Sequence, residues 1–168
     1  MQLLVIRHAA AEDKDEWSKT GKSDDERPLT ADGAKDMAKA AKGLRAIIPE
    51  VDLIATSPLV RARQTAQIVA SALGLNHVDV ADVLIPEASF SGFVTWLVGH
   101  KDEETVAVVG HEPHLGILIT WLLSGVEEPR VEMKKGAACL IEFEGKPAKG
   151  KGVLRWSVPP GLLRRLGK

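Results

Sequence analysis

With 168 residues, 45% of them hydrophobic and 27% charged, the chain is long enough to bury its own core, and one domain over residues 1–168 is expected. A formal net charge of −1 gives no general attraction to nucleic acid or anionic membranes. Aromatic residues are scarce and tyrosine is absent, which removes the stacking platforms that single-stranded nucleic acid needs.

The lone cysteine, Cys139, excludes an intrachain disulfide framework and any CxxC motif; set in an apolar run, it reads as a small core residue. The first apolar run is too short for a signal peptide, and no apolar stretch approaches the roughly 20 residues of a membrane span. A soluble cytoplasmic protein is expected.

Leu3 to Ile6 is a short continuous apolar run, the pattern of a strand buried on both faces, and it ends in Arg7-His8. Residues 12–26 are polar, charge-mixed and aperiodic, which predicts a loop. Thr30 is a good N-cap for a helix in which Ala34, Met37, Ala38, Ala41, Leu44 and Ile48 recur at helical spacing, with Pro49 closing it. Val51 to Thr56 predicts a second strand. Ser57-Pro58 reads as an N-cap and N1 pair opening a helix to about Leu73, with Gly74 past its end.

Val78 to Leu84 alternates weakly, as a short edge strand would. Ser89 to Val98 predicts a helix with Phe90, Phe93, Val94 and Leu97 on one side. Thr105 to Val109 predicts a third strand, and Pro113 starts a helix ending near Gly125. Gly136 to Phe143 and Val153 to Val158 predict an antiparallel hairpin, and Leu162 to Leu166 a last helical turn. Alternating strands and helices predict a three-layer α/β/α sandwich with a mostly parallel central sheet and an antiparallel C-terminal hairpin.

Open α/β sheets bind ligands beyond the C-terminal ends of their strands. Arg7 and His8 end the first strand, Arg61 lies just past the second, and His111 just past the third. Arg61 falls in the first turn of its helix, where the macrodipole disfavours a cation by several tenths of a kcal/mol. An anion bound there would reconcile the two; the alternative is a surface arginine with a packed stem. Arg63 points to another side of that helix.

His8 is either a hydrogen-bonded structural histidine or a nucleophile, for neutral imidazole attacks phosphorus readily. His111 at a neighbouring strand end is suited to donate a hydrogen bond to a phosphoryl oxygen. His114 follows at i+3, but His111-Glu112-Pro113-His114 is not HExxH and no third ligand suggests itself, so no metal site is expected. His77 and His100 read as solvated. Gly145 to Gly152 imitates G-x-x-x-x-G-K, yet it lacks the following Ser/Thr and leads into a strand, which makes it a basic hairpin loop.

Arg7-His8-Ala9, Ser57-Pro58-Leu59-Val60-Arg61-Ala62-Arg63-Gln64-Thr65-Ala66 and Val109-Gly110-His111-Glu112-Pro113 together resemble the three motifs of the histidine phosphatase (phosphoglycerate mutase-like) superfamily, in order along the whole chain. The chain's small size, the Asp25-Glu26-Arg27-Pro28-Leu29-Thr30 segment and the lack of a long insertion before His111 are most similar to the SixA-type phosphohistidine phosphatases. Ala9 departs from the usual glycine.

The resemblance implies a cofactor-independent phosphatase in which His8 attacks phosphorus and is transiently phosphorylated. Arg7, Arg61 and His111 would bind the phosphoryl oxygens, with no metal. Glu87 lies in the region of the mutase-like proton donor and reads either as that acid or as an exposed loop carboxylate. The implied substrate is a phosphorylated histidine-containing protein domain. The alternatives are a small phosphate ester, or an inactive module that binds phosphate or phosphoproteins. No nucleic acid or membrane partner is expected.

Overall fold

The computed structural model describes residues 1–48 and 50–168. The elements are β1 (Gln2–Arg7), α1 (Lys14–Ser18), α2 (Ala31–Ile47), β2 (Leu53–Thr56), α3 (Val60–Leu73), β3 (Asp79–Val80), α4 (Phe90–Gly99), β4 (Thr105–Gly110), α5 (His114–Ser124), β5 (Ala138–Glu142), β6 (Val153–Val158) and α6 (Pro160–Leu166). The strands form one sheet in the order β3-β2-β4-β1-β5-β6. The first four are parallel to one another, and β5 runs antiparallel to both β1 and β6.

The apolar runs of β1 and β4 are continuous because both of their faces are covered. Leu4, Ile6, Ala107 and Val109 pack with α2, α3 and α6, while Leu3, Val5, Val106 and Val108 pack with α4 and α5. This alternation of side chains across a pleated strand produces the three layers. Each fully buried aliphatic side chain contributes about 1.5–3 kcal/mol, so the central strands anchor the sheet. Cys139 is fully buried among them, and burial pushes its thiol up to about 12, which leaves it inert at neutral pH.

Thr30 caps α2 through its hydroxyl on the Gly33 N–H at 2.9 Å, as its sequence position predicts. Pro49, expected to close α2, lies outside the described residues. Gly74 and Gly125 end α3 and α5 at φ +79° and +81°, a conformation that favours glycine. Ser89 caps α4, and the β5–β6 hairpin is antiparallel as expected. Among the described residues no helix is long and apolar enough to cross a membrane.

Three expectations need correction. Residues 12–26 are not simply a loop. Asp13 caps α1 by accepting from the Asp15 and Glu16 N–H groups, and a Ser23–Glu26 capping box closes a 3₁₀ turn over Asp24–Glu26. Neither element buries a residue, so neither leaves a hydrophobic period in the sequence. Ser57 and Pro58 do not open α3, which begins at Val60 after Leu59 with no side-chain cap. Ser57 is still held on the sheet, its N–H donating to the Val109 carbonyl at 3.0 Å. The 78–84 segment contributes only Asp79 and Val80 to the edge before turning into a 3₁₀ turn over Asp82–Leu84.

Candidate active site

Strand register brings three motifs to one level. β1 and β2 flank β4, with Arg7 opposite Gly110 and Thr56 opposite Val109. The ladder continues one residue further, where the His8 N–H donates to the Gly110 carbonyl at 3.1 Å and the Ser57 N–H to that of Val109. His8, Ser57 and His111 therefore leave the sheet together, and all three are buried. The imidazole centroids of His8 and His111 are 5.2 Å apart.

The His8 Nδ1 lies 2.7 Å from the Ala9 carbonyl oxygen. A carbonyl can only accept, so the proton sits on Nδ1 and Nε2 carries the free lone pair. Burial lowers the pKa of His8 to about 4; the Ala9 carbonyl opposes this, while Arg61, Arg7 and Lys135 reinforce it. At neutral pH the ring is uncharged, the form a nucleophile requires. Ala9 fits without strain, because no non-glycine residue in the described chain has a positive φ and the Ala9 methyl joins the core beneath α2.

His111 Nε2 meets the Ser57 hydroxyl at 2.8 Å. The Ser57 oxygen also accepts from the Leu59 N–H at 3.4 Å, and among the described residues its own proton has no acceptor other than that imidazole nitrogen. Ser57 O–H thus donates to Nε2, leaving His111 protonated at Nδ1. Burial first, then His8, Arg61 and His114, lower the pKa of His111 to about 3, with Asp24 opposing, so it too is neutral.

Arg7 donates from Nη1 to the Met133 carbonyl at 2.7 Å. Arg61, in the first turn of the uncapped α3, donates from Nη1 to the Asp24 carbonyl at 2.9 Å, and its Nη2 lies 3.1 Å from Asp24 Oδ2. Burial would raise the pKa of Asp24. The hydrogen bond from Arg27 and the charges of Arg61 and Arg27 outweigh it and hold the carboxylate below its ordinary range. Arg7 Nε, Arg61 Nε and His111 Nδ1 are buried without a hydrogen-bond partner among the described residues. Three buried N–H donors around a neutral imidazole, beside a helix N-terminus, form a cradle for an anion with several oxygens.

Two contacts hold this cradle to the helical layer. The Thr65 hydroxyl accepts from the Ala9 N–H at 3.1 Å and donates to the Arg61 carbonyl at 2.7 Å. Gly33 presses against residue 10, where a Cβ would lie 2.1 Å from the Ala10 oxygen, so only glycine lets α2 approach.

Glu87 makes no hydrogen bond to Arg7, His8, Arg61 or His111. It is exposed on the link into α4. His114 is buried, its Nε2–H donating to the Ala88 carbonyl at 2.9 Å, which commits that nitrogen to the protein. Among the described residues no group of three or more His, Cys, Asp or Glu is arranged to hold a metal ion. Arg63 and His77 are exposed, whereas His100 is half-buried with its ring 4.7 Å from that of Trp96. A groove of about 820 Å³ between α2 and α3 contains none of the four cradle residues.

Asp24, Ser57 and Thr65 take part in the cradle without having stood out as functional residues. Ser57 carried one usable signal, a hydroxyl at a strand end on the ligand-binding edge. Asp24 carried none, because its partner lies far along the chain.

Residues 3–85 match the model of the histidine phosphatase superfamily (branch 1). An uncharacterized protein from Picosynechococcus sp. is 33% identical over 137 residues, 80% of this chain and 81% of that protein. The phosphohistidine phosphatase SixA of Escherichia coli K12 is 26% identical over 167 residues, 98% of this chain and 97% of that one. A solved structure of the protein histidine phosphatase SixA complexed with tungstate superposes with a TM-score of 0.82 at 26% identity, covering 97% of this chain and 99% of that one. These similarities support a phosphatase as the class of activity. Together with the three strand-end motifs, they show that the chain belongs to the histidine phosphatase superfamily and, within it, to the SixA-type branch.

Proposed function

We propose that this protein removes phosphate from phosphohistidine in a protein substrate through a covalent intermediate on His8. The observation that carries the reading is the pinned tautomer of His8. Its Nδ1–H is spent on the Ala9 carbonyl, and its Nε2 lone pair is free among buried donors that lack acceptors.

In the first step Nε2 attacks phosphorus in line, and the bond from phosphorus to the substrate imidazole breaks. The electron pair leaves with that imidazole, which is a good leaving group once protonated. Arg7, Arg61 and the Nδ1–H of His111 hold the equatorial oxygens as charge spreads over them. In the second step water attacks the phosphorus on His8, releasing inorganic phosphate and restoring the lone pair. The exposed Glu87 need not act in the first step, since imidazole leaves without the acid that an alkoxide requires.

The test is to expose the protein to a ³²P-phosphohistidine protein domain, to phosphoramidate and to a panel of alkyl phosphates, then quench. Acid-labile, base-stable label on His8, with faster turnover of the phosphohistidine domain than of any ester, is the expected result. Preference for an ester would identify a small-molecule phosphomonoesterase instead. Binding of phosphate without label or turnover would identify an inactive module.

A further inference from the structure

Beside the cradle lies an open cavity of about 430 Å³, walled by the 86–91 segment and the start of α5. Pro113, two residues beyond His111, is part of its lining, as is His114, which lies near enough to His111 to act on that ring electrostatically, so the cavity adjoins the His111 end of the site. Its chemistry is opposite to that of the cradle. Phe90, His114 and Trp121 form a connected aromatic wall: Phe90 lies 5.2 Å from His114 at 48° and 5.7 Å from Trp121 at 42°, centroid to centroid. Glu87 and Glu127 are the charged residues of the lining, and both are exposed. Among the described residues no lysine or arginine lines it.

His114 belongs to the aromatic wall and adds no positive charge. Burial lowers its pKa, against the Ala88 carbonyl and the Glu87 carboxylate, so the ring is neutral at pH 7. Around His8, by contrast, Arg61, Arg7 and Lys135 all contribute positive potential. A substrate spanning both places meets a positive field at its phosphoryl group and an aromatic, negative one next to it.

We propose that this cavity binds a lysine or arginine side chain carried near the phosphorylated histidine of the substrate protein. The aliphatic stem would lie on the half-buried Phe90 and the accessible edge of Trp121, with the cation beside the exposed Glu127 and Glu87. An acidic side chain at the same place would meet two carboxylates without a counter-charge. The inference rests on the phosphohistidine reading of the site and adds to it a rule for choosing among phosphohistidine proteins.

The experiment uses the full chain and phosphohistidine peptides in which one residue, moved through the positions flanking the phosphohistidine, is lysine, glutamine or glutamate. At one or more positions kcat/KM should rise roughly 3- to 30-fold from glutamine to lysine and fall further with glutamate. Glu127→Gln should weaken that preference, and Glu127→Lys should reverse it toward glutamate. Both should leave turnover of phosphoramidate, which carries no side chain, unchanged. Equal rates for all three residues at every position, or an undiminished lysine preference in both variants, would overturn the inference while phosphoramidate turnover leaves the phosphatase reading standing. Failure to hydrolyse phosphoramidate and every peptide would overturn that reading and the inference with it.

Discussion

The floor of the site and the arm over its edge are built on different principles. The floor consists of His8, Ser57 and His111, almost fully buried residues that directly follow β1, β2 and β4, with the His8 and Ser57 N–H groups bound to β4 carbonyls. The arm, residues 12–30, is fixed by side-chain caps and by its own surface contacts, such as Trp17 Nε1 donating to the Ser23 carbonyl at 2.9 Å. It reaches the floor through Asp24, whose carboxylate is shared between Arg27 and Arg61. Register holds atoms to tenths of an ångström at the cost of burying polar groups, whereas capping leaves charges in water where they screen one another. Chemistry therefore belongs to the floor, and tuning to the arm.

The strongest way to break this division is His8→Ala, which should lower turnover by on the order of 10⁴-fold or more and abolish acid-labile labelling, while circular dichroism shows an intact fold. Retained activity would remove the floor from the mechanism.

The floor should also govern stability against acid. His8 and His111 have folded-state pKa values of about 4 and about 3, below their ordinary 6.5, so unfolding takes up protons as the pH falls below about 6.5. Their contribution is complete above that pH and is lost on descending toward the folded values. Between pH 6.5 and 5 each should remove about 2 kcal/mol, measured by denaturant unfolding, and His111→Asn should flatten the slope by its share.

Arg61 joins the two regions. Arg61→Ala should reduce kcat/KM about 10²- to 10³-fold, as removal of a charge-stabilising donor does, with the fold retained. Ser57→Ala isolates the tautomer of His111. It should lower kcat roughly tenfold with little change in KM, and ¹⁵N spectra should report loss of the single Nδ1–H form. An unchanged imidazole spectrum would show that Ser57 does not set the tautomer. The smallest effect belongs to the arm. Asp24→Asn should change stability by less than about 1 kcal/mol, its side chain being 41% exposed. It removes a negative charge from beside Arg61, so inorganic phosphate should inhibit about 2- to 5-fold more tightly.

The same contrast explains what was legible in the sequence. The strand ends announced themselves because buried strands leave uninterrupted apolar runs, and these runs stopped at Arg7-His8, Ser57-Pro58 and Gly110-His111. Motif order then gave the expectation that Arg7, His8, Arg61 and His111 serve one site. The arm left no period, since α1 and the 3₁₀ turn bury nothing, and its Asp13 and Ser23 caps resemble ordinary loop residues. Ser57 was misread because serine before proline is a good helix opener, whereas here its hydroxyl is drawn to an imidazole 54 residues away. Tertiary competition for one hydroxyl is invisible to local propensity.

The Thr65 hydroxyl, lying between the Ala9 N–H and the Arg61 carbonyl, has a mechanical consequence. The residue after His8 and the backbone of Arg61 are held by the same oxygen, so a displacement of Thr65 on α3 reaches both through one atom. One hydroxyl thus ties the position of the proposed attacking residue to that of the proposed phosphate anchor.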